Sequence, residues 1–178
     1  MEVRKRGRII GLKDYIAFNY FHNLRQIVLF AVLEIAVFPL VILLFYSPDM
    51  EMSPAAMYFG ALILFTAITG VFFLLQLLML RIRSKKQYDS SKVMQAESEL
   101  VANEAGVFET SEYGSTGFQW RDIHKAAEGK HAMYIYFSRI QAFIFPKRLL
   151  SAEDRDTLRI LVSKNLNPKK NHLKKRRV

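Results

Sequence analysis

Apolar residues form two long runs in the first half of the chain, and the pattern changes after them. The runs span residues 27–45 and 57–80, and between them they carry one charged side chain, Glu34. At about 1.5 Å per residue, helices over these runs would measure roughly 28 and 36 Å, against a hydrocarbon core of about 30 Å. The pattern therefore predicts a transmembrane helical hairpin and an integral membrane protein.

The second half has the pattern of short strands followed by one helix. Apolar segments with partial alternation predict strands at 93–100, 106–110, 132–137 and 140–145. Residues 113–117, read as a turn in preference to a phosphate-binding loop, lead into 118–120, and Ser138-Arg139 forms the last turn. Ser151 and Asp154 resemble a capping box that starts a helix with an apolar stripe. These elements predict an α+β domain, a small antiparallel β-barrel or half-barrel closed by the C-terminal helix and Trp120.

The charge of the chain is distributed unevenly. The formal net charge is +10 and there is no cysteine. Residues 88–163 nevertheless hold nine basic and eleven acidic side chains, so the excess lies beside the apolar runs and at the termini. The predicted soluble domain has no basic surplus, which argues against DNA or RNA binding. Without cysteine, a disulfide framework and thiolate metal sites are excluded.

Charges flanking the hairpin predict its orientation. The segments before residue 27 and after residue 80 are basic, whereas the connection at 46–56 carries Asp49 and Glu51 and no Lys or Arg. By the positive-inside rule both termini face the cytoplasm. Pro54 suits the first turn of the second helix. A cleavable signal peptide is the competing interpretation of the first run, but the basic region before it is long and no small-residue cleavage pattern follows.

The membrane half contains one segment and one residue that could serve a function. Residues 12–22 mix aromatic and polar side chains, which predicts an interfacial helix, with a partner-binding motif as the alternative. Glu34 lies near the middle of its run, where an unpaired carboxylate is costly. In an antiparallel hairpin Thr69 or Gln76 could donate a hydrogen bond to it. A helix–helix hydrogen bond is one interpretation of Glu34, and a proton-linked or substrate-binding carboxylate is the other.

Several short motifs, taken in order, resemble the YcxB-like family of bacterial membrane proteins. The similarity extends from about Leu12 to Leu166. It is carried by Asp14-Tyr15 with Phe18-Asn19, Glu104-Ala105-Gly106-Val107, Trp120-Arg121-Asp122-Ile123 with Glu128, Tyr134-Ile135-Tyr136, Ile144-Phe145-Pro146-Lys147-Arg148 and Ser151-Ala152-Glu153. The resemblance implies two transmembrane helices before a cytoplasmic domain similar to the pleckstrin-homology (PH) barrel. It implies no reaction.

Catalytic and cofactor motifs are missing from the sequence. The four histidines, His22, His124, His131 and His172, have no metal-ligand spacing, and no nucleophile elbow, P-loop or dinucleotide fingerprint occurs. We therefore expect neither enzymatic activity nor a cofactor or metal ion.

Basic side chains near the membrane are candidates for contact with anionic headgroups. Lys147 and Arg148 could make such a contact or simply be a solvated strand end, and the C-terminal tail could lie on the anionic leaflet. A nuclear-localisation or RNA-binding tail is the rival interpretation, and the two spans argue against it. The proposed headgroup contacts are Arg81, Arg83, Lys85, Lys86, Lys147, Arg148, Lys174, Lys175, Arg176 and Arg177.

The sequence thus predicts four regions: a basic and interfacial segment at 1–26, the hairpin at 27–80, a PH-like domain at 88–166 and a disordered basic tail at 167–178. The leading hypothesis is a bacterial inner-membrane protein whose hairpin anchors a cytoplasmic interaction or regulatory domain. The expected partners are the bilayer, an unidentified protein and a second copy of the chain. The alternative is a small transporter accessory or proton-linked carrier centred on Glu34.

Overall fold

The computed structural model describes residues 1–47, 51 and 53–173. The chain divides into two compact units. One unit, called the hairpin unit below, is Tyr20–Arg83. The other, called the sheet unit, combines Met1–Asn19 with Ser84–Val178. Of the connection predicted at 46–56, Asp49 lies outside the described residues.

The hairpin unit consists of most of two long helices, α1 (Leu12–Leu43) and α2 (Pro54–Ser90). Both are long and apolar enough to cross a membrane, and in the most apolar window of each only 6% of residues are buried. Leu29, Phe30, Ile63 and Leu74 are among many apolar side chains that are exposed. A helix of a water-soluble core would bury such side chains, so these helices need apolar surroundings.

The two helices run antiparallel within the hairpin unit. The Phe38 and Phe65 rings stack with centroids 5.1 Å apart. Nearer the other end, the Tyr20 hydroxyl donates to the Leu77 carbonyl at 3.0 Å. The second helix starts at Pro54, as the sequence predicted, and the Ser53 hydroxyl accepts from the Ala56 N–H at 3.3 Å.

The first sheet of the sheet unit brings together strands from distant parts of the sequence. It contains β1 (Glu2–Gly7), β2 (Ser98–Asn103), β3 (Gly106–Ser111) and β4 (Gly114–Gln119), in that spatial order and all antiparallel. Strand β1 pairs with β2 from Glu2↔Asn103 to Gly7↔Ser98. Both apolar helices are therefore inserted between two neighbouring strands of one sheet.

Strand β1 and the interval after β3 differ from the sequence predictions. The segment 1–26, expected as a basic and interfacial segment, begins with a strand whose Val3 is buried in the core. Residues 114–119, expected to be mostly a turn, form β4. In the predicted strand at 93–100, the first residues instead form the one-turn helix α3 (Lys92–Gln95), since Ser91 caps it by accepting from the Met94 N–H.

The second sheet contains β5 (Lys125–Glu128), β6 (Ala132–Tyr136), β7 (Ala142–Pro146) and β8 (Asn171–His172), in the order β7-β6-β5-β8. The strands predicted at 132–137 and 140–145 are confirmed as β6 and β7. The turn between them is longer than the predicted two residues, Ser138-Arg139. Strand β8 pairs parallel to β5, so part of the tail predicted to be disordered joins the sheet. Residues 174–178 of that tail lie outside the described residues.

A helix and a tryptophan pack into the core of the sheet unit. Helix α4 (Ala152–Asn165) has the predicted capping box of Ser151 and Asp154. Leu158 and Leu161 of α4 share one hydrophobic cluster with Val3 and Trp120, and the Trp120 indole donates to the Asn103 carbonyl at 2.8 Å. The expected combination of two apolar helices, a sheet-rich domain and a C-terminal helix is therefore present.

The predicted barrel is not closed. Among the described residues the strands form two separate four-stranded sheets with no ladder joining them. At the step from β4 to β5 the chain turns through a 3₁₀ segment at Trp120–Asp122, which interrupts the extended backbone that a continuous ladder would need.

Candidate functional site

The intramembrane site predicted at Glu34 is a single weak contact. Within the hairpin unit, the Thr69 hydroxyl donates to the Glu34 carboxylate at 3.5 Å, the long limit of a hydrogen bond. Thr69 is buried, and Gln76 lines the same crevice as both residues.

The crevice around Glu34 is too narrow for a water molecule. Its walls come from α1 and α2 and are mostly apolar: Ile27, Ala31, Phe72 and Phe73 stand beside the three polar residues. Among these lining residues Glu34 is the one ionisable group. This geometry matches a hydrogen bond between two helices.

The more elaborate site is an aromatic cluster in the sheet unit, which we call the helix–sheet junction. It joins Tyr15 and Phe18 from the first turns of α1, Tyr88 from the end of α2, and Tyr134, Tyr136 and Ile144 from the second sheet. The Phe18 ring lies 5.5 Å from Tyr134 and 6.0 Å from Tyr136, and Tyr15 lies 6.2 Å from Tyr88. Ring pairs at these distances add to the stabilisation that comes from burial.

These aromatic residues follow from the sequence of each element. Tyr15 and Phe18 are three apart on α1 and so share one face of the helix. Tyr134 and Tyr136 are two apart on β6 and so share one face of the sheet. The sequence predicted Tyr15 and Phe18 as part of an interfacial helix, whereas the structure buries both against the sheet.

Burial raises the pKa of the two strand tyrosines above the ordinary value. Desolvation raises the pKa of Tyr136 to about 12. It raises the pKa of Tyr134 to about 12 as well, with smaller contributions from the charges of Tyr136 and Asp14. Burial thus stabilises the neutral form of both hydroxyls further, within a junction held by ring packing, hydrogen bonds and an ion pair.

Hydrogen bonds and an ion pair surround the junction. The Arg148 guanidinium contacts the Asp14 carboxylate at 2.8 Å and donates to the Ile9 carbonyl at 2.9 Å. The Tyr88 hydroxyl donates to the Ile10 carbonyl and accepts from Arg8, both at 3.1 Å. The start of α1 and the end of α2 are thus each tied to the segment that leads out of β1.

Lys147 belongs to a second polar cluster. Its ammonium group lies 2.7 Å from the carboxylate of Glu128, whose side chain is 1% exposed, and it also donates to the Gly129 carbonyl at 2.8 Å. Arg159 of α4 contacts the same carboxylate at 2.9 Å and pairs with Asp156. No short stretch of sequence indicates a partner for Glu128, because its partners lie 19 and 31 residues away.

The basic residues proposed for headgroup contact have different surroundings. Lys147 and Arg148 are engaged inside the sheet unit, so neither is simply a free cation at a strand end. Lys85 and Lys86 are exposed at the end of α2, where Lys85 pairs with Asp89 at 2.6 Å. Arg81 and Arg83 are exposed in the hairpin unit. The tail residues Lys174, Lys175, Arg176 and Arg177 lie outside the described residues.

In the part of the chain that the structure describes, no group of three or more His, Cys, Asp or Glu side chains could hold a metal ion. In the same part, every buried side-chain nitrogen and oxygen has a hydrogen-bond partner.

Fold and junction together define the class of protein: a sheet-rich domain into which two long apolar helices are inserted after the first strand. The family model described as YcxB-like protein matches residues 102–161, from the end of β2 into α4. The chain therefore contains a YcxB-like domain, preceded by two apolar helices, as the motifs predicted. No curated protein and no solved structure matches the chain.

Proposed function

We propose that this chain is a bacterial inner-membrane protein whose hairpin anchors a cytoplasmic PH-like domain, and that this domain acts as an interaction or regulatory module. The observation that carries the proposal is the helix–sheet junction. Both helices have an end in the core of the sheet unit, through Tyr15, Phe18 and Tyr88. A flexible tether would serve anchoring alone, so a packed junction favours a module whose state is coupled to the helices.

Sequence charges support the cytoplasmic placement. The segments that precede and follow the hairpin are rich in Lys and Arg. In the connection between the helices, every charged side chain is acidic. The family resemblance supports the PH-like fold. A four-stranded antiparallel sheet, a second sheet and a helix packed on the shared core agree with it, although the sheets are not closed into a barrel.

Single cysteines test the topology, because the chain has none of its own. Ser47→Cys places a thiol in the connection, and Tyr113→Cys places one on an exposed turn of the sheet unit. The outer membrane is removed from the cells while the inner membrane stays sealed. A membrane-impermeant maleimide should then label the thiol at position 47 and leave the thiol at position 113 unlabelled until the inner membrane is permeabilised. Labelling at position 113 in sealed cells would contradict the cytoplasmic placement.

A hairpin exchange tests the role of the domain. Residues 27–80 are replaced by an unrelated two-helix hairpin of equal length, which keeps β1 and the junction residues. Proteins crosslinked to the full chain in living cells should also crosslink to the exchanged chain, because the sheet unit selects them. Partners that disappear on exchange, and return when the native hairpin carries an unrelated domain, would assign the function to the hairpin instead.

A further inference from the structure

Strand β4 forms an open edge of the first sheet. It is the last strand in the order β1-β2-β3-β4, so in the described part of the chain it has a neighbouring strand on one side only. Residues 114–117 and Gln119 are exposed. The outer side of such a strand presents backbone N–H and C=O groups that a further strand can bind.

The other outer strands of the two sheets have features that oppose such pairing. Strand β1 carries Arg4, Lys5 and Arg6, and Lys5 pairs with Asp154 of α4. Strand β7 ends in Pro146, and β8 has two residues. Charge, proline and short length each protect a strand edge. Strand β4 is six residues long and has neither a charged residue nor a proline, so among the described strands it is the edge best suited to pairing.

Gly117, within β4, has an aromatic ring against its outer face. Its register partner on β3 is Phe108, and a Cβ atom on Gly117 would collide with the Phe108 ring. The next residue on β3, Val107, is buried in the core, so Phe108 and its ring lie on the opposite, solvent-facing side of the sheet. A glycine inside a strand often marks a place where another backbone approaches closely.

The backbone groups of β4 alternate between its two sides. Ser111 and Gly114 are register partners across a two-residue turn, where the paired residues of a hairpin bond to each other. By the alternation of an antiparallel ladder, Ser115, Gly117 and Gln119 then direct their N–H and C=O groups to the open side. Two copies of β4 can therefore form an antiparallel ladder centred on Gly117.

The residues around Gly117 complement a second copy of the same strand. With a twofold axis between the two Gly117 residues, Thr116 stands opposite Phe118 of the second copy. Ser115 stands opposite Gln119 in the same way. A β-branched residue opposite an aromatic one stabilises a strand pair, and the absence of charge near the axis avoids repulsion between identical side chains.

The outer face of this ladder also brings two aromatic rings together. Each Phe108 ring lies against its own Gly117, and the two glycines have no side chains to separate the rings. Paired strands are about 4.8 Å apart, and aromatic rings prefer centroid distances of roughly 4.5–7 Å. A second copy thus covers a ring that is partly exposed in the single chain.

We propose that β4 pairs with β4 of a second copy of this chain, antiparallel and centred on Gly117, and so joins two first sheets into one continuous sheet. The inference rests on the interaction role proposed above and names a second copy of the chain as the partner. Pairing of two identical edges leaves neither open, so the assembly closes as a symmetric dimer.

Two single-cysteine variants of the full chain test this pairing, because the chain has no cysteine of its own. Ser115→Cys and Gln119→Cys carry different affinity tags, are expressed separately and together, and are oxidised mildly in membranes. In the proposed register a thiol at position 115 faces a thiol at position 119 of the second copy, within reach of a disulfide. Two thiols at the same position lie about 13 Å apart along the ladder, which is too far. Coexpressed chains should therefore form disulfide-linked pairs roughly tenfold more than either variant alone.

The outcome is separable from that of the hairpin exchange. Coexpressed chains that link no more than the separate variants would overturn the proposal, whether β4 stays open or binds a strand of a different protein. The hairpin exchange follows other crosslinked proteins, so its result would stand in that case.

A charge placed on the edge provides a second test. Thr116→Lys, added to both cysteine variants, puts a cation beside Phe118 of the second copy and should lower the linked fraction roughly fivefold. Ile160→Lys is the control, because it adds the same charge at an exposed position of α4. It should leave the linked fraction unchanged. Equal linkage in the two lysine variants would overturn the role given to the β4 edge.

Discussion

The ion-pair partners of Glu128 are distant from it in the sequence. Its carboxylate is almost fully buried between Lys147 of the segment after β7 and Arg159 of α4. By contrast, Glu104 and Lys164 form a pair at 3.3 Å with both side chains more than half exposed. A buried carboxylate that loses its charge leaves its cations unpaired, whereas an exposed pair contributes little.

We expect Glu128→Gln to lower the free energy of unfolding of the full chain by about 3 kcal/mol, the low end for a buried ion pair, because Lys147 and Arg159 remain partly exposed. The control Glu104→Gln should lower it by about 0.5 kcal/mol or less. Urea titration in mild detergent, followed by Trp120 fluorescence, measures both. Equal losses for the two variants would show that Glu128 is not a structural ion pair of the core.

Substitutions of Glu34 distinguish the two interpretations of this residue, a hydrogen bond between the helices and a proton-linked carboxylate. If its role is the hydrogen bond from Thr69, Glu34→Gln should retain most of it, while Glu34→Leu should lose about 1 kcal/mol of hairpin stability. Unfolding in mixed micelles with rising SDS content measures this, and Thr69→Val is the matched variant from the donor side. If Glu34→Gln lowered hairpin stability as much as Glu34→Leu does, the hydrogen-bond interpretation would be contradicted and the proton-linked carrier would be favoured.

The start of α4 joins two elements through one carboxylate. Asp154 accepts from the Ser151 N–H and hydroxyl at 2.8 Å and from Lys5 of β1 at 2.7 Å. Burial alone would raise the pKa of Asp154, but the hydrogen bonds from Lys5 and Ser151 outweigh it and hold the pKa below 3.8. The folded state therefore favours the charged form, so its stabilising effect is present above the ordinary pKa of an aspartate and is lost as the pH falls through the lowered pKa.

Asp154→Asn should lower the free energy of unfolding by about 1 kcal/mol at pH 7, and the gap to the unaltered chain should shrink below about pH 4. Glu153→Gln, in the same first turn of α4, is the control and should change little at either pH. Thermal unfolding at a series of pH values provides the measurement. A gap that stays constant down to pH 2 would contradict the role given to the charge.

At the scale of elements, the sequence predicted those whose signals are local. The apolar runs, the strands β3 and β6, and the capping box of α4 are each visible in a few neighbouring residues. Strand β1 was missed because only Val3 is buried in it, while Arg4, Lys5 and Arg6 resemble juxtamembrane charges. Strand β8 was missed in the same way, since its two polar residues join a sheet only through long-range pairing with β5.

The sequence predicted one of the two candidate sites, the contact at Glu34, and missed the helix–sheet junction. Thr69 or Gln76 was expected to contact Glu34, because the depth of each residue in an antiparallel hairpin follows from its position in the sequence. Of the two, Thr69 donates the hydrogen bond. The helix–sheet junction was not foreseen. Its residues come from α1, α2 and two strands, and no short stretch of sequence shows that they meet.

At the scale of the whole molecule, the sheet unit is built from segments on both sides of the hairpin in the sequence. Its first strand precedes the apolar helices and its second strand follows them, so the hairpin is an insertion within the domain. A fragment of residues 88–166 would lack β1, Tyr15 and Phe18, and thereby part of both hydrophobic clusters. The domain and the hairpin should accordingly be studied in one chain.

A cysteine pair across β1 and β2 tests this connectivity most directly. Arg4 and Val101 are register partners, and paired residues of antiparallel strands have the Cα separation that a disulfide needs. The chain lacks cysteine, so Arg4→Cys with Val101→Cys adds the one pair, and a protease site at residues 48–52 allows the two helices to be separated. Arg4→Cys with Thr110→Cys is the control, because β2 lies between those strands.

After mild oxidation in membranes and cleavage, the 4/101 variant should run as one species on a non-reducing gel and as two after reduction, while the control should run as two throughout. Two fragments from the 4/101 variant without reduction would show that β1 does not pair with β2 and that the hairpin is not inserted within the domain.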